Sequence, residues 1–107
     1  MTAETPFGLP FTAVAALRHL FDSWPDIESV WIYGSRAKGN YRPGSDIDLT
    51  LKGEALDLHD LLAIENQIDD LLLPWSVDLS LYAHIDNDSL REHIERAGQV
   101  FYQRTTD

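Results

Sequence analysis

The chain has no cysteine, which excludes a disulfide framework, a thiolate metal site and a cysteine nucleophile. That absence suits a reducing cytoplasm, the location expected here. No apolar run approaches the roughly 18 residues a membrane span needs, and Met1–Pro10 shows no basic stretch leading into an apolar one. Positive charge is scarce: 8 Lys and Arg stand against 18 Asp and Glu, a formal net charge of −10. A sequence-independent nucleic-acid binder needs the opposite surplus to displace counterions, so direct nucleic-acid binding is not expected. An acidic chain suits a basic partner or bound divalent cations, or is simply soluble. Repeats and linkers are lacking too. With 107 residues, 44% of them hydrophobic and 24% charged, the chain has the composition of one globular domain spanning 1–107.

The elements that remain are short. Thr12 can cap a helix carrying Val14, Leu17, Leu20 and Phe21 at helical spacing, with Pro25 closing it. Ser29–Tyr33 is β-branched and aromatic and reads as a strand that stops at Gly34. Residues 34–45 read as a glycine-rich basic turn, and half of the Lys and Arg residues fall between Arg36 and Lys52. Asp46–Leu51 alternates polar and apolar, the mark of a half-buried strand. Asp57 can cap a second helix with Leu58, Leu61, Leu62, Ile68, Leu71 and Leu72 as its buried stripe, ended by Pro74. Ser76–Leu81 is a further alternating strand. A third helix has Ser89 and Glu92 at capping-box spacing and Gly98 as its stop, before a short Val100–Tyr102 strand. This order implies a small α/β (α+β) fold, with helices packed mainly on one face of the sheet.

Strand phase carries the functional signal. Ile47, Leu49 and Leu51 share one face, so Asp46 and Asp48 share the other, and Val77, Leu79 and Leu81 leave Asp78 opposite them. If both apolar sides lie under the helices, all three carboxylates emerge together. Close carboxylates repel unless a hard cation such as Mg²⁺ neutralises them. A D-x-D pair alone reads more simply as a solvated polar face. The segment before it adds weight: Gly34 and Ser35 at a strand end, the cations of Arg36, Lys38 and Arg42, and Ser45 can together hold polyphosphate beside a metal. By contrast His19, His59, His84 and His93 have no metal-site spacing, and Trp31 and Trp75 read most simply as packing, with adenine stacking by Tyr41 or Trp75 the lesser reading.

Gly34-Ser35-Arg36-Ala37-Lys38-Gly39, then Ser45-Asp46-Ile47-Asp48-Leu49, then Asp78 on a later strand, resembles the signature of the nucleotidyltransferase fold of DNA polymerase beta. The short length, the closing Arg-Glu-x-Ile helix, the glycine and the aromatic strand narrow this to the minimal nucleotidyltransferases (MNT), antitoxins encoded beside HEPN-domain toxins. The resemblance spans about residues 12–103. It implies two Mg²⁺ ions held by Asp46, Asp48 and Asp78, with Asp78 taking the acceptor's proton, and β- and γ-phosphates held by Gly34 and Ser35. Arg36 and Lys38 are expected to steady the pyrophosphate, and Ser45 to contact the nucleotide. The implied reaction moves AMP from ATP to a tyrosine hydroxyl of a cognate HEPN ribonuclease toxin, with a hetero-oligomer as the working assembly and a homodimer as the alternative for the isolated chain. A chain of this length leaves no room for a domain that would hold a small acceptor, so the acceptor is expected to be a protein. The rival expectations are neutralisation by stable binding without turnover, and aminoglycoside-type transfer to a small molecule.

Overall fold

The first helix, α1 (Phe11–Asp22), starts on the carbonyl of Pro10, which accepts from the amides of Ala13 and Val14 at 3.0 and 3.2 Å. Thr12, expected as the cap, lies inside the first turn and is exposed. Proline has no N–H to satisfy, so the boundary position suits it and the helix begins two residues earlier than the hydroxyl suggests. This computed structural model describes residues 7–105. Positions 1–6 and 106–107, the ends of the expected 1–107 domain and most of the Met1–Pro10 segment, lie outside the described residues.

Four strands follow: β1 (Ser29–Tyr33), β2 (Ile47–Lys52), β3 (Val77–Leu81) and β4 (Gln99–Gln103), in the sheet order β3-β2-β1-β4. β1 runs antiparallel to β2 and β4, whereas β2 and β3 are parallel and need the crossover that α3 (Leu58–Asp69) provides. The register aligns Ile32, Leu49 and Leu79 on one face, with Val30, Leu51 and Leu81 beside them. Val14, Leu17 and Phe21 of α1 and Ile64 and Ile68 of α3 cover that face and close the main core. The mixed sheet is the one expected, with a single exception to the one-sided packing. α4 (Asp88–Ala97) lies on the other face, where Lys52 bonds Glu95 at 3.1 Å and stands 4.1 Å from the Trp31 ring centroid. Ile94 is fully buried there, outside the main core.

Two helix details depart from expectation. α3 starts as expected, with Asp57 and Asp60 forming a reciprocal capping box, but it ends at Asp69 rather than at Pro74. Its buried positions are Ile64 and Ile68, with Leu61 and Leu71 half-buried, while Leu58, Leu62 and Leu72 are exposed. Only positions three, four and seven apart along one side reach the core, and Leu58 and Leu62 fall on the neighbouring side. In α4 the cap is Asn87, whose side chain accepts from the Leu90 amide at 3.1 Å, and Ser89 lies within the helix. Gly98 does end α4, its amide reaching the Ile94 carbonyl at 2.8 Å. Among the described residues no helix is long and apolar enough to cross a membrane.

Replacing Asn87 with Ala should therefore cost about 1 kcal/mol, read from the urea midpoint, while Ser89→Ala should stay within a few tenths. The opposite order would return the cap to Ser89.

Candidate active site

α4 covers only the half of its sheet face that carries Trp31 and Lys52. The other half carries Tyr33, Asp48 and Asp78, aligned in register across β1, β2 and β3. Asp46 is the residue before β2 and is exposed, not the first residue of the strand as expected, while Asp78 is exposed and Asp48 half-buried. Burial raises the Asp48 carboxyl above the usual carboxylate range, and the charges of Asp78 and Asp46 raise it further. The three acids read from the strand phases therefore act on one another. None accepts a hydrogen bond from the protein among the described residues.

Gly34 ends β1 and caps α2 (Ser35–Lys38), one helical turn where the sequence suggested an open loop. Its φ of 75° and ψ of −154° suit glycine alone, and a side chain there would collide with the Asp48 carboxylate. The backbone of the Gly34–Ser35 turn thus lies against the acid site. Ser35 is half-buried and its hydroxyl has no partner among the described residues. The first amides of α2 have no acceptor within the helix. Ser45 closes the Arg42–Ser45 turn: its Oγ accepts from the Arg42 amide at 2.8 Å and its amide donates to the Arg42 carbonyl at 2.9 Å.

The basic residues divide. Arg36 was expected at the pyrophosphate, but it is 1% exposed and its guanidinium donates to backbone carbonyls, so it is not a phosphate holder. Burial lowers its pKa, which marks the cost of placing that charge inside. Arg18, Lys52, Arg91, Arg96 and Arg104 also hold carbonyls, carboxylates or rings. Lys38 and Arg42 are exposed, and their side chains alone among the eight Lys and Arg residues have no partner among the described residues. Both follow Ser35, Lys38 at the end of α2 and Arg42 in the turn before β2.

Tyr33 was read only as a strand aromatic, yet it stands opposite Asp48 in the β1–β2 register. Burial is the main cause that raises its phenol pKa. Ser80 Oγ donates to Thr50 Oγ1 at 3.0 Å, one pair of hydroxyls two residues along β2 and β3 from the Asp48–Asp78 pair. The signal was present in the sequence as strand phase, but it required the β1–β2 register. A cavity of about 320 Å³ lined by Ile68, Leu73, Trp75 and Val77 includes none of the three acids.

As they stand, no three acidic or histidine side chains among the described residues converge enough to enclose an ion. The donor set nevertheless fits a hard cation: three carboxylates that repel, lack protein hydrogen bonds and offer only oxygen. They would need to turn toward a shared ion.

Residues 16–107 match the family described as Polymerase beta, Nucleotidyltransferase. The chain belongs to this nucleotidyltransferase family. It is 34% identical over 105 residues to the Haemophilus influenzae protein named "Probable protein adenylyltransferase MntA", spanning 97% of this chain and 91% of that one. Its fold matches a toxin–antitoxin complex crystallised with AMP-PNP, at a TM-score of 0.69 and 19% identity over 85% of this chain and 73% of that one. It also matches a complex of MNT antitoxin with tri-AMPylated Shewanella oneidensis HEPN toxin, at 0.64 and 17% over 87% and 71%. The nucleotidyltransferase fold expected from the family's motif is the one observed.

The electrostatics of Asp48 give a pH signature. A carboxyl with a raised folded pKa destabilises the fold once ionised, and this cost fades as pH falls from the folded pKa toward the unfolded one. In metal-free protein, Asp48→Asn should raise the urea midpoint at neutral pH. That gain should shrink as pH drops through the window above the usual carboxylate range. A variant less stable at neutral pH would mean that Asp48 is held by a favourable contact.

Proposed function

We propose that this chain transfers AMP from ATP to a tyrosine hydroxyl of a HEPN-type toxin, and so acts as its antitoxin in the cytoplasm, within a hetero-oligomer. The observation that carries the reading is the position of Asp48. It lies in register with Asp78, within electrostatic reach of Asp46, and against the backbone of Gly34 at the head of the Ser35 turn. Acid groups and a phosphate-holding turn thus meet at one end of one sheet face. The 34% identical relative, named as a protein adenylyltransferase, supports the choice of reaction. A complex of the same fold that joins an AMPylated HEPN toxin to an MNT antitoxin supports the acceptor class.

In this reading Asp46 and Asp48 hold the Mg²⁺ that arrives with ATP, and all three acids share a second ion. Bound Mg²⁺ supplies charge neutralisation for the triphosphate and for the entering and departing oxygens. The Ser35 hydroxyl and the free amides of α2 hold the β- and γ-phosphates, while Lys38 and Arg42 offset the charge of the pyrophosphate. Ser45 borders the same turn, with its O–H left to donate. Asp78 takes the proton of the tyrosine hydroxyl, whose oxygen bonds to the α-phosphorus as the bond to the bridging oxygen breaks and pyrophosphate departs. The site is open on the sheet surface, so the acceptor protein supplies the wall that excludes water.

The test is transfer from ATP labelled at the α-phosphate, with Mg²⁺ and the HEPN-type partner encoded beside this chain. Label should map to a tyrosine of the partner, and Asp48→Asn should lower the rate about a thousandfold. If no label reaches any protein while the two still co-purify, catalysis is overturned in favour of neutralisation by binding.

A further inference from the structure

Arg36 is the largest wholly buried side chain among the described residues, and no carboxylate pairs with it there. An isolated buried charge is costly unless hydrogen bonds replace its water. Here carbonyls do so. Nε donates to Ser45 at 3.1 Å, Nη1 to Phe7 and Gly8 at 3.0 and 3.5 Å, and Nη2 to Pro43 at 3.1 Å. The rings of Tyr41 and Trp75 stand 5.2 and 5.9 Å from the guanidinium carbon, and Trp75 Nε1 donates to the same Pro43 carbonyl at 3.0 Å. Gly8, with φ of 71°, lies so close to the Tyr41 ring that a side chain there would overlap it.

These carbonyls come from two segments remote from α2: the stretch before α1, and the turn entering β2. The Ser45 carbonyl is half of the peptide bond to Asp46, and Arg36 itself follows Ser35. One rigid fork therefore ties the phosphate-holding turn to the peptide that carries the first acid. Stability alone does not call for a buried cation at this spot, since an apolar side chain would fill the volume without desolvating a charge.

We propose that Arg36 is a positioning residue, fixing the Gly34–Ser35 turn relative to Asp46 and strapping the Phe7–Gly8 segment over both. This rests on the nucleotidyltransferase reading of the site. Lysine has one donor point in place of a planar fork and cannot span these segments.

Arg36→Lys and Arg36→Met are compared with Ile94→Ala, a truncation under α4 that serves as the stability control. Two readouts are taken: amide hydrogen exchange and transfer rate per folded molecule. In Arg36→Lys the amides of Ser45, Ile47 and Gly39 should exchange about tenfold faster relative to those of β1. Its kcat should fall about 100-fold with KM for the acceptor protein unchanged. Ile94→Ala should lower transfer only in proportion to lost folded protein. An even rise in exchange across β1 and residues 39–47, or an unchanged kcat per folded molecule, overturns the proposal. The Lys variant decides if Arg36→Met does not fold. If wild-type protein transfers nothing, the nucleotidyltransferase reading fails, and the exchange pattern alone decides whether Arg36 positions the turn.

Discussion

Repulsion between Asp48 and Asp78, set directly opposite each other by the parallel pairing of β2 and β3, is a strain that a one-residue slip of either strand would relieve. The slip does not occur because it would turn Ile47, Leu49 and Leu51 out of the core if β2 moved, or Leu79 and Leu81 if β3 did. Each such side chain stabilises by about 1.5–3 kcal/mol when buried. Two like charges in near contact repel by about 1–4 kcal/mol in watery to surface-like surroundings. The apolar face wins, and the acids are held in place by residues they never touch. The remaining features of the site are arranged around this fixed point. Gly34 must be glycine for its own backbone, with φ of 75° and ψ of −154°, and that backbone lies against the Asp48 carboxylate, while α4 packs on the Trp31 half of the same face.

Much of this was legible in the sequence because a strand's period of two leaves little ambiguity. The alternation in Asp46–Leu51 and Ser76–Leu81 was enough to place three carboxylates on one face before any register was known. What failed were decisions between neighbours with similar chemistry. Thr12 and Pro10 both suit a helix start, and only the geometry of the chain before α1 selects proline. Asn87 and Ser89 are both good caps, and the one standing free of the helix takes the role. Leu58 and Leu62 have the side chains of core residues, but whether a leucine on the flank of a helix meets the sheet depends on how the helix is rolled, which composition does not encode, and Leu72 lies beyond the helix in a turn with φ of 54°.

Arg36 shows a deeper limit. In a glycine-rich segment beside Lys38 and Arg42 its charge suggests a phosphate contact, and the three look alike on paper. The difference lies in the partners: they are backbone carbonyls, of Pro43 and Ser45 in the following turn and of Phe7, 29 residues earlier, and a carbonyl carries no side-chain signal. Tyr33 illustrates the converse. Its side chain is unremarkable for a strand, and only the antiparallel β1–β2 pairing sets it opposite Asp48.

The charge distribution separates two kinds of recognition. A net charge of −10 repels a free polyanion, but at physiological salt that field decays over about 8 Å, so only nearby charges decide whether a triphosphate can settle. In the segment that follows Ser35 those charges are Lys38 and Arg42, exposed and unpaired among the described residues. In the proposed reading a nucleotide would meet a site of mixed charge, where a cation that came with it would offset the acids. The surplus of negative charge elsewhere has no such local use, and its effect falls on larger bodies, favouring encounter with a basic protein surface. In the proposed reading, an acid site open on the sheet surface would owe part of its specificity to the partner that the rest of the surface attracts.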